Sequence, residues 1–267
     1  MKLNLRKSLF ILPNLFTCSS IFCGFYATLI CANEPTNDDF YRAALLIVFA
    51  MFFDMIDGRV ARMTKTQSAF GVQLDSLADV VSFGVAPAVL VHAWSLHSLR
   101  GIGMFVCFAY IACGAIRLAR FNVLAMSETG APKKPGKYIM GLPIPGAAGI
   151  LVSLVVANHS VAGALPGFPY IILAVVAALS FFMVSTIRFR SFKDLRLSWR
   201  TVGLVGVALA TSIGIGLRFH VSFALVWLLG CYIAIGIFEA LFSLSRGLKR
   251  RREQQGEDEP NPQSAEH

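Results

Sequence analysis

Apolar runs long enough to cross a bilayer, separated by short polar or charged segments, dominate this chain. No stretch alternates with period two for long enough to build a barrel wall, and no soluble-type repeat is visible. The pattern predicts an all-α, polytopic integral membrane bundle of about eight transmembrane helices. Residues 1–11 carry Lys2, Arg6 and Lys7 among Leu3, Leu5, Leu9 and Phe10, which suits an interfacial segment. Pro13 and Asn14 open a first span over about Leu12–Ala32, and a polar loop, Asn33–Asp39, follows. The second span covers about Tyr41–Arg62, Thr64–Phe70 form a turn, and the third covers about Gly71–Ala93. The fourth, about Gly103–Arg120, leads into the longest internal loop, Phe121–Tyr138. A fifth span runs from near Gly141 to near Asn158, and a sixth from about Pro169 to Ile187. Residues 12–192 thus form the expected core. Residues 193–245 add the rest of a basic loop (Arg188–Arg200) and two C-terminal spans, about Val202–Leu217 and Val221–Leu244. Residues 246–267, basic and then acidic, read as a disordered tail.

Composition agrees with that pattern. Of 267 residues, 56% are hydrophobic, and the mean hydropathy of +0.65 excludes an ordinary soluble domain. The formal net charge is +9, but placement matters more than size. Basic residues lie in loops between spans, which favours orientation and contact with anionic lipids over nucleic-acid binding. Only Arg42, Arg100 and Arg218 fall at the opposite ends of the spans, so both termini are expected in the cytoplasm. The expected location is a multi-pass position in the cell membrane. The first apolar run is too long for a cleavable signal, and no such signal is expected. The six cysteines, Cys18, Cys23, Cys31, Cys107, Cys113 and Cys231, lie in or beside apolar runs without metal-ligand spacing and read as small buried hydrophobes.

Against this background, Asp54, Asp57, Asp75, Asp79 and Glu239 are the acidic residues predicted at membrane depth, where an ionisable group points to function. Asp54 and Asp57 are three apart and Asp75 and Asp79 four apart. On helices, each pair shares one face with about 5–6 Å between its members. A hairpin would bring the two faces together, and four converging carboxylates repel unless cations hold them. A site for one or two hard divalent metals is the economical reading. The alternative is an ion-pair network with Arg59, Arg62, Arg117 or Arg120. Glu239 reads as an interfacial ion-pair partner. Gly58, Ala61 and Gly71 leave room beside the acidic face for a bulky ligand, or for close helix packing. No GxxxxGK[ST] loop is present, which argues against an ATP-driven P-loop enzyme. The predicted depth places the acidic motif at the cytoplasmic boundary.

These residues carry a resemblance. Asp54 followed by Asp57-Gly58-(x2)-Ala61-Arg62-(x8)-Gly71-(x3)-Asp75-(x3)-Asp79 resembles the signature of the CDP-alcohol phosphatidyltransferases without a gap or substitution. Leu12-Pro-Asn-Leu-Phe-Thr17, Ala78-Asp-Val-Val-Ser-Phe-Gly-Val-Ala-Pro87, Ile116-Arg-Leu-Ala-Arg-Phe-Asn122, Gly141-Leu-Pro-Ile-Pro145 and Val184-Ser-Thr-Ile-Arg-Phe-Arg-Ser-Phe192 are similar to the phosphatidylserine synthase branch. The resemblance implies that Asp54, Asp57, Asp75 and Asp79 bind two divalent cations, Mg2+ or Mn2+. It makes Asp79 the general base, and it lines a cytidine nucleotide site with Gly58, Ala61, Arg62 and Gly71, together with Asn14 and Thr17. The implied substrates are CDP-diacylglycerol and L-serine, the products phosphatidylserine and CMP, and the assembly a homodimer among membrane lipids.

Acceptor choice rests on less. Arg117 and Arg120 share a helical face, and Arg188 and Arg190 open a basic loop. Either pair could hold a serine carboxylate or a lipid phosphate, or simply be solvated by headgroups. Lys133, Lys134 and Lys137 read as loop charge, and His92, His97, His159 and His220 receive no role. Two other readings stay open: the same enzyme class with glycerol 3-phosphate or an inositol phosphate as acceptor, and a divalent-cation or proton-coupled transporter. Transporter sites usually sit near the midplane, whereas all four carboxylates lie near one predicted face.

Overall fold

The computed structural model describes residues 5–64, 66, 68–125, 138–160, 169–185, 188–190, 211, 212 and 214. The two predicted C-terminal spans and the tail lie outside the described residues, apart from an isolated few. Helix α1 (Leu5–Ala32) and helix α2 (Asn37–Met63) form the most extensively packed pair. From Leu5 onward, the interfacial segment and first span, expected to divide between residues 11 and 12, are one continuous helix. Pro13 lies inside it, so the missing N–H costs one intrahelical bond without ending the helix. Helix α2 begins before the predicted span because Thr36 caps it: the Asp39 N–H donates to Thr36 Oγ1 (3.3 Å), and the Thr36 N–H donates to Asp39 Oδ2 (3.1 Å). Arg42 pairs with Asp39 at 3.4 Å.

At the other end of α2, the Thr64 N–H bonds the Val60 carbonyl (2.9 Å) and the Thr66 N–H bonds that of Ala61 (3.0 Å), turning the chain sharply. Ser68 then caps helix α3 (Ala69–Asp79) by accepting from the Gly71 N–H at 3.0 Å. The third span does not continue as a plain α-helix. Residues Val80–Val85 form a π-helical turn, after which helix α4 (Ala86–Trp94) resumes. A 3-10 turn (Leu96–Leu99) leads into helix α5 (Arg100–Ala125), longer at both ends than its apolar run predicts. Helices α6 (Ile144–Ser160) and α7 (Pro169–Val184) complete the described bundle.

The all-α expectation needs one addition. Strand β1 (Tyr138–Met140) pairs antiparallel with strand β2 (Arg188–Arg190), with Ile139 opposite Phe189. Three-residue strands carry too little periodicity to be read from sequence. Gly141 follows at φ +75°, a left-handed conformation that suits glycine, and its neighbour's N–H (Leu142) bonds the Phe182 carbonyl at 3.0 Å.

Phe83, Leu90, Leu96, Tyr110, Leu142, Ile144, Leu151 and Met183 fill the centre, drawn from the π turn onward through α7. Small residues set the close approaches. A Cβ on Gly24 would lie 2.7 Å from the Ser82 Cα, so α1 and the π turn meet nearly backbone to backbone. Two hydroxyls complete that contact: Ser20 Oγ donates to Ser82 Oγ (3.1 Å), and Ser82 Oγ donates to the Ser20 carbonyl (2.9 Å). Outward positions are apolar, including Phe22, Phe25, Phe49, Phe52, Phe105, Phe108 and Phe181. Ile11–Ala32, Ala69–Trp94 and Leu96–Leu124 are long and apolar enough to cross a membrane. The 27-residue α2 has the length as well but carries the charged motif. This is a helical membrane protein.

Candidate active site

Two helices supply the acidic site, Asp54 and Asp57 from α2 and Asp75 and Asp79 from α3; α1 meets it through Thr17, and α5 bonds α3 through Asn122. One carboxylate oxygen from each of Asp54, Asp57 and Asp75 lies within 4.8 Å of the others. Ionised carboxylates this close repel one another unless a proton or a cation lies between them. Asp57 is buried, and Thr17 Oγ1 on α1 lies 2.7 Å from its Oδ2 and 3.2 Å from the Pro13 carbonyl. With one proton to give, the hydroxyl serves the shorter, charge-assisted contact. Asp79 Oδ1 is buried without a hydrogen-bond partner among the described residues.

This donor set fits hard divalent cations. All-oxygen carboxylate ligands converge from two helices, a buried hydroxyl orients one of them, and a further carboxylate oxygen has its acceptor capacity unspent. The ion-pair alternative fits less well. Arg59 and Arg62 are exposed, and the Arg62 guanidinium lies 3.7 Å from where a Gly58 Cβ would stand. Arg120 Nη1 turns away to the Val184 carbonyl at 3.2 Å. The ion pairs Arg42–Asp39 and His159–Asp38 lie at the other end of α2.

The residues expected to line a nucleotide site fall around the same end. Gly58 and Ala61 continue α2 beyond Asp57 and are half-buried. Gly71 approaches Asn14: its would-be Cβ lies 3.8 Å from Asn14 Oδ1. Thr17, grouped with these in the sequence, donates to Asp57 of the acidic cluster. Arg117 and Arg120 both lie on α5, and Arg120 reaches the chain just before β2. Arg188 and Arg190 lie on β2, opposite Met140 and Tyr138; their side chains lie outside the described residues.

Three polar contacts escape sequence reasoning. Asn122 Nδ2 on α5 donates to Ser76 Oγ on α3 at 2.9 Å, with Gln73 Oε1 at 3.4 Å, tying the two helices beside the acidic face. The Ser20–Ser82 pair ties α1 to the π turn. Tyr110 Oη donates to the Phe83 carbonyl at 3.1 Å, deep in the core. The signal available was a polar residue in an apolar run; its partner was not predictable.

A cluster of this kind, inside a helical membrane bundle, is compatible with metal binding, and similarity to known proteins gives the class. The chain belongs to the CDP-alcohol phosphatidyltransferase family, whose family model matches residues 10–238. Enzymes of this family depend on divalent metal ions in general. Two relatives match over most of their length and are named CDP-diacylglycerol–serine O-phosphatidyltransferase. The Helicobacter pylori protein is 35% identical over 234 residues, 88% of this chain and 92% of the relative. The Bacillus subtilis protein is 34% identical over 185 residues, 68% of this chain and 91% of the relative. An archaetidylserine synthase from Methanothermobacter thermautotrophicus is 40% identical over 139 residues, 51% of this chain and 54% of the relative.

Proposed function

We propose that this chain transfers the phosphatidyl group of CDP-diacylglycerol to the hydroxyl of L-serine, giving phosphatidylserine and CMP in phospholipid biosynthesis. The observation that carries this reading is the convergence of the Asp54, Asp57 and Asp75 oxygens within 4.8 Å, beside an Asp79 oxygen without a partner. The names of the long-matching relatives favour serine over phosphorylated acceptors.

Asp54, Asp57, Asp75 and Asp79 hold two divalent ions, Mg2+ or Mn2+. When bound, these neutralise the pyrophosphate and the departing CMP. Thr17 keeps Asp57 turned toward the cluster. Gly58, Ala61, Arg62 and Gly71, with Asn14, admit the cytidine end. Asp79 Oδ1 takes the proton of the serine hydroxyl. The serine oxygen bonds to the phosphatidyl phosphorus as the bond from that phosphorus to the bridging pyrophosphate oxygen breaks. CMP leaves with the bridging oxygen, and no phosphatidyl-enzyme intermediate forms. Arg117, Arg120, Arg188 and Arg190 supply cations for the serine carboxylate or the lipid phosphate.

The bundle crosses the cell membrane about eight times, with both termini and the acidic site at the cytoplasmic face. Residues 12–192 form the catalytic core, and the protein works as a homodimer. Facing the cytoplasm lets lipid enter sideways from the bilayer while CMP leaves to water.

The test supplies purified protein in detergent with CDP-diacylglycerol and Mg2+ or Mn2+. The acceptors L-serine, glycerol 3-phosphate and inositol phosphate are offered separately, with an EDTA control. CMP release and phosphatidylserine formation with serine alone, abolished by EDTA, is the expected result. Release with another acceptor instead would overturn the serine assignment. Absence of release from folded protein with every acceptor would overturn the transferase reading.

A further inference from the structure

Asp75, Asp79, Ser82, Ala86 and Leu90 stand at i, i+4, i+7, i+11 and i+15. In an uninterrupted α-helix these positions form one stripe. Ser82, Ala86 and Leu90 are fully buried in the core, whereas Asp75 and Asp79 serve the acidic cluster and are only half-buried. One stripe cannot face both environments. The π turn resolves the conflict: the Ala86 N–H reaches back five residues to the Val81 carbonyl, which inserts one residue between the two halves. One residue corresponds to about 100° of helix rotation.

Two side chains meet this turn at the Phe83 carbonyl. Pro87, buried in the first turn of α4, has no N–H to offer the Phe83 carbonyl four residues back. That carbonyl accepts the Tyr110 hydroxyl of α5 instead, at 3.1 Å, with both residues fully buried. Ser82, inside the turn, is fixed to α1 through Ser20 and the close approach at Gly24. We infer that Pro87 and Tyr110 are positioning residues: by keeping Val80–Val85 in π-helical form, they rotate Asp75 and Asp79 off the core stripe and onto the face shared with Asp54 and Asp57. Neither touches the reacting groups. The inference rests on the proposed metal-dependent function.

The experiment measures Mn2+ binding to detergent-purified protein by electron paramagnetic resonance, alongside thermal unfolding and the kcat and serine KM of CMP release. Pro87→Ala restores a backbone N–H to the helix and removes the block to α-helical closure. Its melting temperature should stay at or above the parent's, while Mn2+ affinity and kcat fall about tenfold or more and the serine KM changes little. Tyr110→Phe should weaken Mn2+ binding to a similar degree and also lower the melting temperature. In the double variant, the new N–H satisfies the Phe83 carbonyl, so thermal stability should return while Mn2+ affinity stays low. A purely structural turn would leave metal affinity untouched. Parental Mn2+ affinity in Pro87→Ala, or its recovery together with stability in the double variant, would overturn the inference alone. A folded parent that binds no Mn2+ would overturn the functional reading and this inference with it.

Discussion

Removing one buried hydroxyl on α1 should weaken a metal site on α2. Thr17 Oγ1 lies 2.7 Å from Asp57 Oδ2, across a sequence separation of 40 residues, and both side chains are buried. Thr17→Val keeps the side-chain shape and deletes the donor, so the Asp57 carboxylate loses its fixed orientation. A hydrogen bond to a charged group contributes about 1.5–3 kcal/mol, equivalent to roughly 10- to 150-fold in an equilibrium constant. Loss of a residue that orients a metal ligand typically weakens affinity by about 10- to 100-fold. The expected result is an Mn2+ dissociation constant raised by one to two decades, about 10- to 100-fold. The Mn2+ concentration giving half-maximal CMP release should move with it. Thr17→Ser, which retains the hydroxyl, should recover most of the loss. Electron paramagnetic resonance titration of free Mn2+ reads the first quantity and CMP release the second. An unchanged metal requirement with a raised KM for CDP-diacylglycerol would refute the reasoning, because the hydroxyl would then be contacting nucleotide.

Further outcomes follow from the same geometry. Asp79→Asn removes the proposed base; turnover should be lost while cytidine nucleotide binding, followed by equilibrium dialysis, is largely kept. Loss of folding or of all nucleotide binding would contradict that role. Gly24→Ala places a methyl 2.7 Å from the Ser82 Cα; overpacking of this kind should destabilise by about 1–3 kcal/mol, seen as a lowered melting temperature. EDTA should abolish CMP release reversibly, with Mg2+ or Mn2+ restoring it. Failure of both ions to restore activity to folded protein would count against a hard-cation site.

Much of this protein is local in origin, and that part was legible in sequence. Apolar run length predicts α1, α2, α5, α6 and α7 because a helix in lipid must satisfy its own backbone and face hydrocarbon. The three- and four-residue spacings of Asp54, Asp57, Asp75 and Asp79 predict two acidic faces, since helical periodicity depends only on neighbours in the chain. The family signature depends on the same short-range spacing. Other features depend on residues far apart in sequence. The donation of Thr17 to Asp57, of Asn122 to Ser76 and of Arg120 to the Val184 carbonyl spans 40 to 64 positions, and no periodicity encodes it. The π turn is the sharpest case. Hydrophobic pattern alone reads Gly71–Ala93 as one regular span, yet Pro87 withholds an N–H, Tyr110 supplies the substitute donor, and Gly24 admits Ser82. Sequence determined which residues could form the site; tertiary packing decided which way they turn, because the phase of a helix is set by the neighbours it must fit.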